Sequence, residues 1–377
     1  MQFSVAKAQL DRELSLLQNV VERKTTIPML SNVLIEAAPF QPLTITATDL
    51  DVSLQTSCNA EVARPGAVVL PAKKLYDIIH NFPNDTVSFN VRDDLKTEVN
   101  CQNSNYKLVG QAREYYPSIQ IKPENPIVAQ TIPAAAMQAL IRQTFYAISQ
   151  EESRYAINGS LFLIKQDSVE MISTDGHRLS RSWAPLENSE NRTASDTIIP
   201  RKALQELLKL VGEKGATDVR ISIDENLLFF QVGVRLMTAR KLAGNFPNYT
   251  QVIPKNCDRS ITILKDPLIA AIRRASLMSD VQNHGVKFNL ESSELLTITA
   301  QSADVGQAKE VLTGSAIKEA TGMKDPLEIG FNAIYLLDFL DKETNDEVKM
   351  QFKGAESPAL VSSASNNEYV LMPMRLI

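Results

Sequence analysis

The sequence predicts an α+β fold built from three tandem copies of one domain, each a pair of helices packed on antiparallel sheets. Three observations predict it. The chain has 377 residues, more than one hydrophobic core normally serves. LTITATD at Leu43 to Asp49 returns as LTITAQS at Leu296 to Ser302, and VEMISTD at Val169 to Asp175 lies midway, near one third of the chain length. A helix-like element repeats on the same spacing, as PAKKLYDII from Pro71, PRKALQELL from Pro200 and FNAIYLLDFL from Phe331. A period of about 126 residues is too long for a solenoid repeat and suits a whole domain.

The elements follow in order. Leu10, Leu14, Leu17 and Val21 mark a helix over 6–24, and Leu75, Ile78 and Ile79 a second over 71–82. In the next copy Met137, Leu140, Ile141 and Ile148 predict a helix over 133–150. Leu204, Leu207, Leu208 and Val211 predict another over 200–214, with Pro200 in its first turn. Leu268, Ile272 and Ala275 place the fifth over 264–278, and the Phe331 element places the sixth over 331–343. Apolar runs at Val33 to Ile35 and Leu161 to Leu163, at Val286, Phe288 and Leu290, and through LLFFQVGVRLMTARKL from Leu227 predict strands. Tyr116-Pro117 and Phe246-Pro247 close the first two copies. With the Pro-rich joins that follow, they set boundaries at 1–125, 126–253 and 254–377.

Composition narrows the function. No apolar run reaches the roughly 18 residues that span a bilayer, so no membrane role is expected. The start, MQFSVAKAQL, shows no apolar stretch behind basic residues, and Cys58, Cys101 and Cys257 are odd in number and far apart. A cytoplasmic protein without disulfides is expected. The phosphate-cradling GxGxxG and GxxxxGK[ST] patterns are absent, as are HExxH and CxxC. His80, His177 and His284 occupy non-equivalent positions, which argues against a shared metal site, and no cofactor is expected. The run Thr174-Asp175-Gly176-His177-Arg178 admits a general acid-base pair of Asp175 and His177, hence a hydrolase. Its structural alternative is a tight turn after a strand, and copies one and three keep the turn positions without the Gly-His-Arg chemistry.

Charge is segregated. The formal net charge is -5, yet the six helical segments hold 15 Lys and Arg against 10 Asp and Glu. Lys7, Arg12, Lys24, Lys73, Lys74, Arg142, Arg201, Lys202, Lys209, Arg273 and Arg274 supply most of the positive charge. Basic helices in an acidic chain point to a polyanion held through its phosphates, and a scaffold that binds proteins without DNA remains the other reading.

STDGHRLS at Ser173 to Ser180, RYAINGSLF at Arg154 to Phe162, NFPNYTQVIP at Asn245 to Pro254, IGFNAIYLLDFL at Ile329 to Leu340 and YVLMPMRL at Tyr369 to Leu376 carry a resemblance. The chain resembles, from end to end, the bacterial sliding clamp, the beta subunit of DNA polymerase III. The resemblance implies a non-enzymatic processivity factor: a head-to-tail homodimeric ring around duplex DNA, helices inside, loaded by a partner ATPase and tethering the replicative polymerase and other clients. Geometry agrees with two chains. Helices spaced about 10 Å apart leave too narrow an opening with six, whereas twelve leave about 28 Å free, enough for a loosely held duplex.

The resemblance also implies sites. Arg154 and Tyr155 join the DNA-facing set, although Ala156 stands where a second tyrosine is expected. Tyr106 and Leu108 on an edge strand of the first domain meet Leu277 and Met278 of the partner's third domain. A peptide groove takes Ile157, Thr174, Gly176, His177, Arg178, Leu179, Pro247, Val252, Asn332, Tyr335, Val370, Met372, Pro373, Met374, Arg375 and Leu376. There the two pliable methionines accept varied apolar side chains and His177 and Arg178 offer donors at the rim. Gln251, Asn283, Glu356 and Pro358 depart from the family pattern around this groove, where the clamp has an arginine, a phenylalanine, a valine and a serine, and Ile377 extends the C-terminus by one residue.

Overall fold

The computed structural model describes residues 1–377 except 23–25, 125, 152, 187–193, 324 and 376–377. Among the described residues six α-helices stand where the apolar periodicity puts them, each shorter than its segment: α1 Lys7–Leu17, α2 Ala72–Asn81, α3 Ala134–Thr144, α4 Arg201–Gly212, α5 Lys265–Ser276 and α6 Ala333–Leu340. The reason for the shortening is visible at α1. Val20 and Val21 are buried and so prolong the apolar period, but their amides both donate to Leu17 in a turn that ends the helix. At α2 and α4 the proline closes the preceding strand, Gly66–Pro71 or Ser195–Pro200, and the helix starts at the next residue, so Pro200 is not in its first turn. At α3 the helix gives way to a 3-10 turn, Phe145–Ala147, and Ile148 is buried beyond it.

The described residues form two compact units. The first holds Met1–Gln138 and Lys202–Lys241, the second Ala139–Arg201 and Leu242–Ile377. The middle copy is thus divided between them. In the first unit a five-stranded sheet runs in the order Ala60–Arg64, Gln2–Ala6, Thr86–Val91, Lys96–Cys101, Ser104–Val109. An eight-stranded sheet continues from the middle copy into the first where Arg235–Arg240 pairs antiparallel with Val52–Cys58, Leu236 opposite Gln55. In the second unit Arg178–Pro185 pairs antiparallel with Asn367–Leu371, Leu179 opposite Val370, and so joins the middle and last copies in a nine-stranded sheet. A four-stranded sheet of the last copy runs Gly306–Thr313, Leu295–Ser302, Gly285–Ser292, Leu327–Asn332. Val128–Pro133, within the Pro-rich join, is itself an edge strand of the eight-stranded sheet.

Core composition follows alternation on the strands and one stripe on each helix. Leu10, Leu14 and Leu17 of α1 and Leu268, Ala271, Ile272 and Ala275 of α5 are fully buried. Each leucine so placed contributes about 2 kcal/mol of apolar burial. The core that α5 and α6 share holds Phe288 and Phe331, packed edge to face at 5.6 Å between centroids, and Phe339 of α6, stacked on Tyr369 at 5.0 Å.

Candidate functional site

Strands Ser168–Thr174 and Arg178–Pro185 are joined by a turn that the Thr-Asp pair builds. Thr174 Oγ1 accepts from the Gly176 amide at 3.1 Å and donates to the Arg178 carbonyl at 2.7 Å. Asp175 Oδ1 accepts from the amides of His177 and Arg178 at 3.0 and 3.1 Å. Copy one repeats the device. The Leu50 amide donates to Thr48 Oγ1 at 2.9 Å, and Asp49 Oδ1 accepts from Asp51 and Val52. Both turns need a left-handed residue, which is Gly176 at φ +92 in one and Leu50 at φ +79 in the other. Asp175 therefore meets His177 through its backbone amide, and the imidazole itself is exposed.

The second oxygen of Asp175 accepts from Arg178 Nε at 2.9 Å. Arg178 is buried, and its remaining nitrogens donate to Asp338 on α6 at 2.6 Å and to the Tyr146 carbonyl at 2.6 Å. Its guanidinium lies 4.2 Å from the centre of the Tyr335 ring. Burial alone would lower the pKa of Arg178. Tyr369 and the carboxylates of Asp338 and Asp175 outweigh that effect and hold it above the ordinary guanidinium value. Burial likewise raises the phenol pKa of Tyr369 and Tyr146 beside it. Arg178 is thus a fixed wall of the site and not the free rim donor expected.

Beside this wall opens an apolar pocket of about 290 Å³. Nine of the expected groove residues line it: Ile157, Thr174, Gly176, Arg178, Leu179, Pro247, Val252, Val370 and Met372. Its floor is a small core of Ile172, Leu179 and Val370, against which Phe246, Tyr249 and Ile253 pack. Three further residues line it. Arg154, expected among the DNA contacts, donates to the Asp175 carbonyl at 2.9 Å, and Asn248 and Tyr249 come from the NFPNYTQVIP run. The other expected groove residues fall around it. The His177 carbonyl accepts from Met372 at 3.0 Å, and Met374 donates to Gly330 at 2.8 Å after the half-buried Pro373. Asn332 caps α6 by accepting from Ile334 and Tyr335, and Arg375 pairs with Glu356 at 3.0 Å. Tyr335 supports Arg178, and Leu376 lies outside the described residues.

Most of the expected DNA-facing cations are already partnered. Lys7 pairs with Asp11, Arg12 with Glu213, Lys209 with Glu206, Arg273 with Asp341 and Arg274 with Glu310. Lys202 pairs with Asp49, and Arg201 donates to the Ile148 carbonyl and stacks on Phe145. Among the described residues, the exposed Lys73, Lys74 and Arg142 carry no ion pair. Tyr155 is exposed, and Lys24 lies outside the described residues. Tyr106 and Leu108 sit on Ser104–Val109, an open edge of its sheet. Leu277 is exposed and Met278 half-buried just after α5. Among the described residues no acidic, histidine or cysteine cluster could hold a metal ion, and no helix is long and apolar enough to cross a membrane.

The chain matches three family descriptions in order: the N-terminal domain of the DNA polymerase III beta subunit over residues 1–120, the central domain over 131–248 and the C-terminal domain over 250–375. It is 32% identical to the Beta sliding clamp of Pseudomonas putida over the whole of both chains. Identity to that of Synechococcus elongatus is 30%, over 98% of this chain and 97% of the relative. Among solved structures, the DNA polymerase sliding clamp of Pseudomonas aeruginosa superposes with a TM-score of 0.90 at 30% identity, and that of Bacillus subtilis with 0.92 at 28%, each covering all of both chains. A Pseudomonas aeruginosa clamp bound to griselimycin matches with a TM-score of 0.92 at 30% identity, again over all of both chains. With an α+β fold of the same build over its whole length, the chain belongs to the family of bacterial beta sliding clamps, the beta subunit of DNA polymerase III.

Proposed function

We propose that two copies of this chain close head to tail into a ring around duplex DNA, and that the ring slides while tethering the replicative polymerase. What carries the reading is the match to solved sliding clamps over all of both chains at TM-scores of 0.90 to 0.92. In this reading 1–125, 126–253 and 254–377 are the three clamp domains of each copy. The basic helices face the duplex and touch its phosphates through exchangeable contacts, so that retention is topological and not a matter of affinity. Open edges favour the assembly, since Ser104–Val109 ends one sheet and Gly306–Thr313 ends another. Two unlike edges suit a heterologous contact whose rotation closes after two copies.

The apolar pocket takes the side chains of a short client peptide, offered in turn by the polymerase, the clamp-loader ATPase and other partners. The pocket walls are apolar at Ile157, Leu179 and Val370, and Met372 is 40% exposed and able to adjust to different occupants. A Pseudomonas aeruginosa relative was solved with griselimycin, and we assign the same capacity for a bound ligand to this pocket. The tether raises the effective concentration of the polymerase at the primer end. The role asks for no catalytic group and belongs in the cytoplasm. Primer extension on a primed circle, with the cognate polymerase and loader, tests it. Added protein is expected to lengthen products by about tenfold or more, and Met372→Asp, which places a charge in the pocket, to remove that gain. Product lengths unchanged by the wild-type protein would refute the role.

A further inference from the structure

A second hollow, of about 770 Å³, lies on the outward face of the four-stranded sheet and is polar where the first pocket is apolar. Lys287 stands opposite Thr299, and Thr299 opposite Lys309, on three adjacent strands. Residues directly opposite one another share a face, so the three side chains form one row across the sheet. All three line the hollow, while Phe288 and Ile298, on the other face, are buried. The row continues past Lys287 to Gly330, where no side chain blocks it and the Met374 amide bridges to the carbonyl. Arg375, the next residue, also lines the hollow. Met372, two residues before Met374, lines the apolar pocket. The same short C-terminal segment therefore borders both.

The residues that line the hollow carry more cations than carboxylates. Lys287, Lys309 and Arg375 face a single lining carboxylate, Asp280, one oxygen of which accepts from the Gln282 amide. Lys287 reaches Glu328 at 3.5 Å and Arg375 reaches Glu356 at 3.0 Å, both as pairs exposed on each side. Such pairs hold little free energy and exchange readily for a better anion. Lys309 has no ion pair among the described residues. Strands lie about 4.8 Å apart, so the two lysines are separated by about three residues of an extended chain.

We propose that this row binds an acidic stretch of a client peptide, next to the apolar side chains that the pocket takes. The inference rests on the pocket reading and adds to it a charge preference. Clients with aspartate or glutamate flanking their apolar residues gain affinity and on-rate, and clients with basic flanks do not.

Three fluorescent peptides test this by anisotropy at low salt: a plain one with an apolar Leu-Phe pair, and two with an aspartate run added before or after that pair. One of the acidic peptides is expected to bind the wild-type protein about three- to tenfold more tightly than the plain peptide. In the double variant Lys287→Gln, Lys309→Gln that gain is expected to fall below about twofold, with the plain peptide unaffected. Equal binding of all three peptides to the wild type, or a gain that survives the double substitution, would overturn the proposal and leave the pocket standing. Failure of all three to bind would remove the pocket reading and this one with it.

Discussion

At the scale of the residue, the site turns on how Asp175 and Arg178 use their atoms. Asp175 supplies both the turn and one half of a buried ion pair, so Arg178 is held on three sides. Arg178→Met leaves Asp338 and Asp175 without their cation and is expected to cost about 3 kcal/mol, read as an earlier calorimetric transition. Gly176 carries a backbone that other residues resist, and a Cβ there would lie 3.2 Å from Arg154 Nη1. Gly176→Ala is expected to cost about 1 to 2 kcal/mol and to weaken peptide binding, and an unchanged melting temperature would contradict the strain. Burial, with the charge of Glu13 second, pushes the Cys58 thiol up to about 12. The unfolded thiol then ionises first, so this group removes stability as pH rises from about 9 towards 12. Cys58 is expected to resist a thiol reagent at pH 8 until the chain unfolds. The sequence showed Asp175 and Arg178 as a turn but gave no sign of Asp338, because that partner arrives from α6, 160 residues away.

At the scale of the element, all six helices were legible because each keeps a fully buried apolar stripe. Their ends were not, since Val20, Val21 and Ile148 stay buried in turns and imitate the period. Nine of the twelve residues that line the pocket were legible through the family resemblance. Arg154 and Tyr249 lie in the same motifs as Ile157 and Pro247, and that they too reach the pocket is set by the fold and not by a local pattern. Glu13 of α1 is buried and held by Arg235, and Thr56 donates to the same carboxylate. Glu13→Gln is expected to destabilise the first unit by about 3 kcal/mol, seen as faster amide exchange in strand Arg235–Arg240. The edge strand Ser104–Val109 carries the interface proposal. Tyr106, 45% exposed, and Leu108 lie on it, so Tyr106→Asp with Leu108→Asp is expected to shift sedimentation from dimer to monomer. A dimer that survives both charges would place the interface elsewhere.

At the scale of the whole molecule, the threefold repeat was legible from three motifs in register, but the two compact units were not. Strand pairing carries the sheets across copy boundaries, at Leu236 opposite Gln55 and at Leu179 opposite Val370, and such pairing leaves no trace in a repeat. The helix charge was legible as a sum but not as free charge, because acidic neighbours pair with Arg12, Lys202, Lys209, Arg273 and Arg274. A chain with net charge -5, in which acidic neighbours already pair with many of the described helix cations, would make a poor tight binder of DNA. A closed ring needs no tight binding. The most direct test loads the protein on nicked circular DNA and on the same DNA linearised, then raises the salt to screen phosphate contacts. Retention on the circle with loss from the linear form is the expected result, and equal loss or equal retention on both would contradict an encircling clamp.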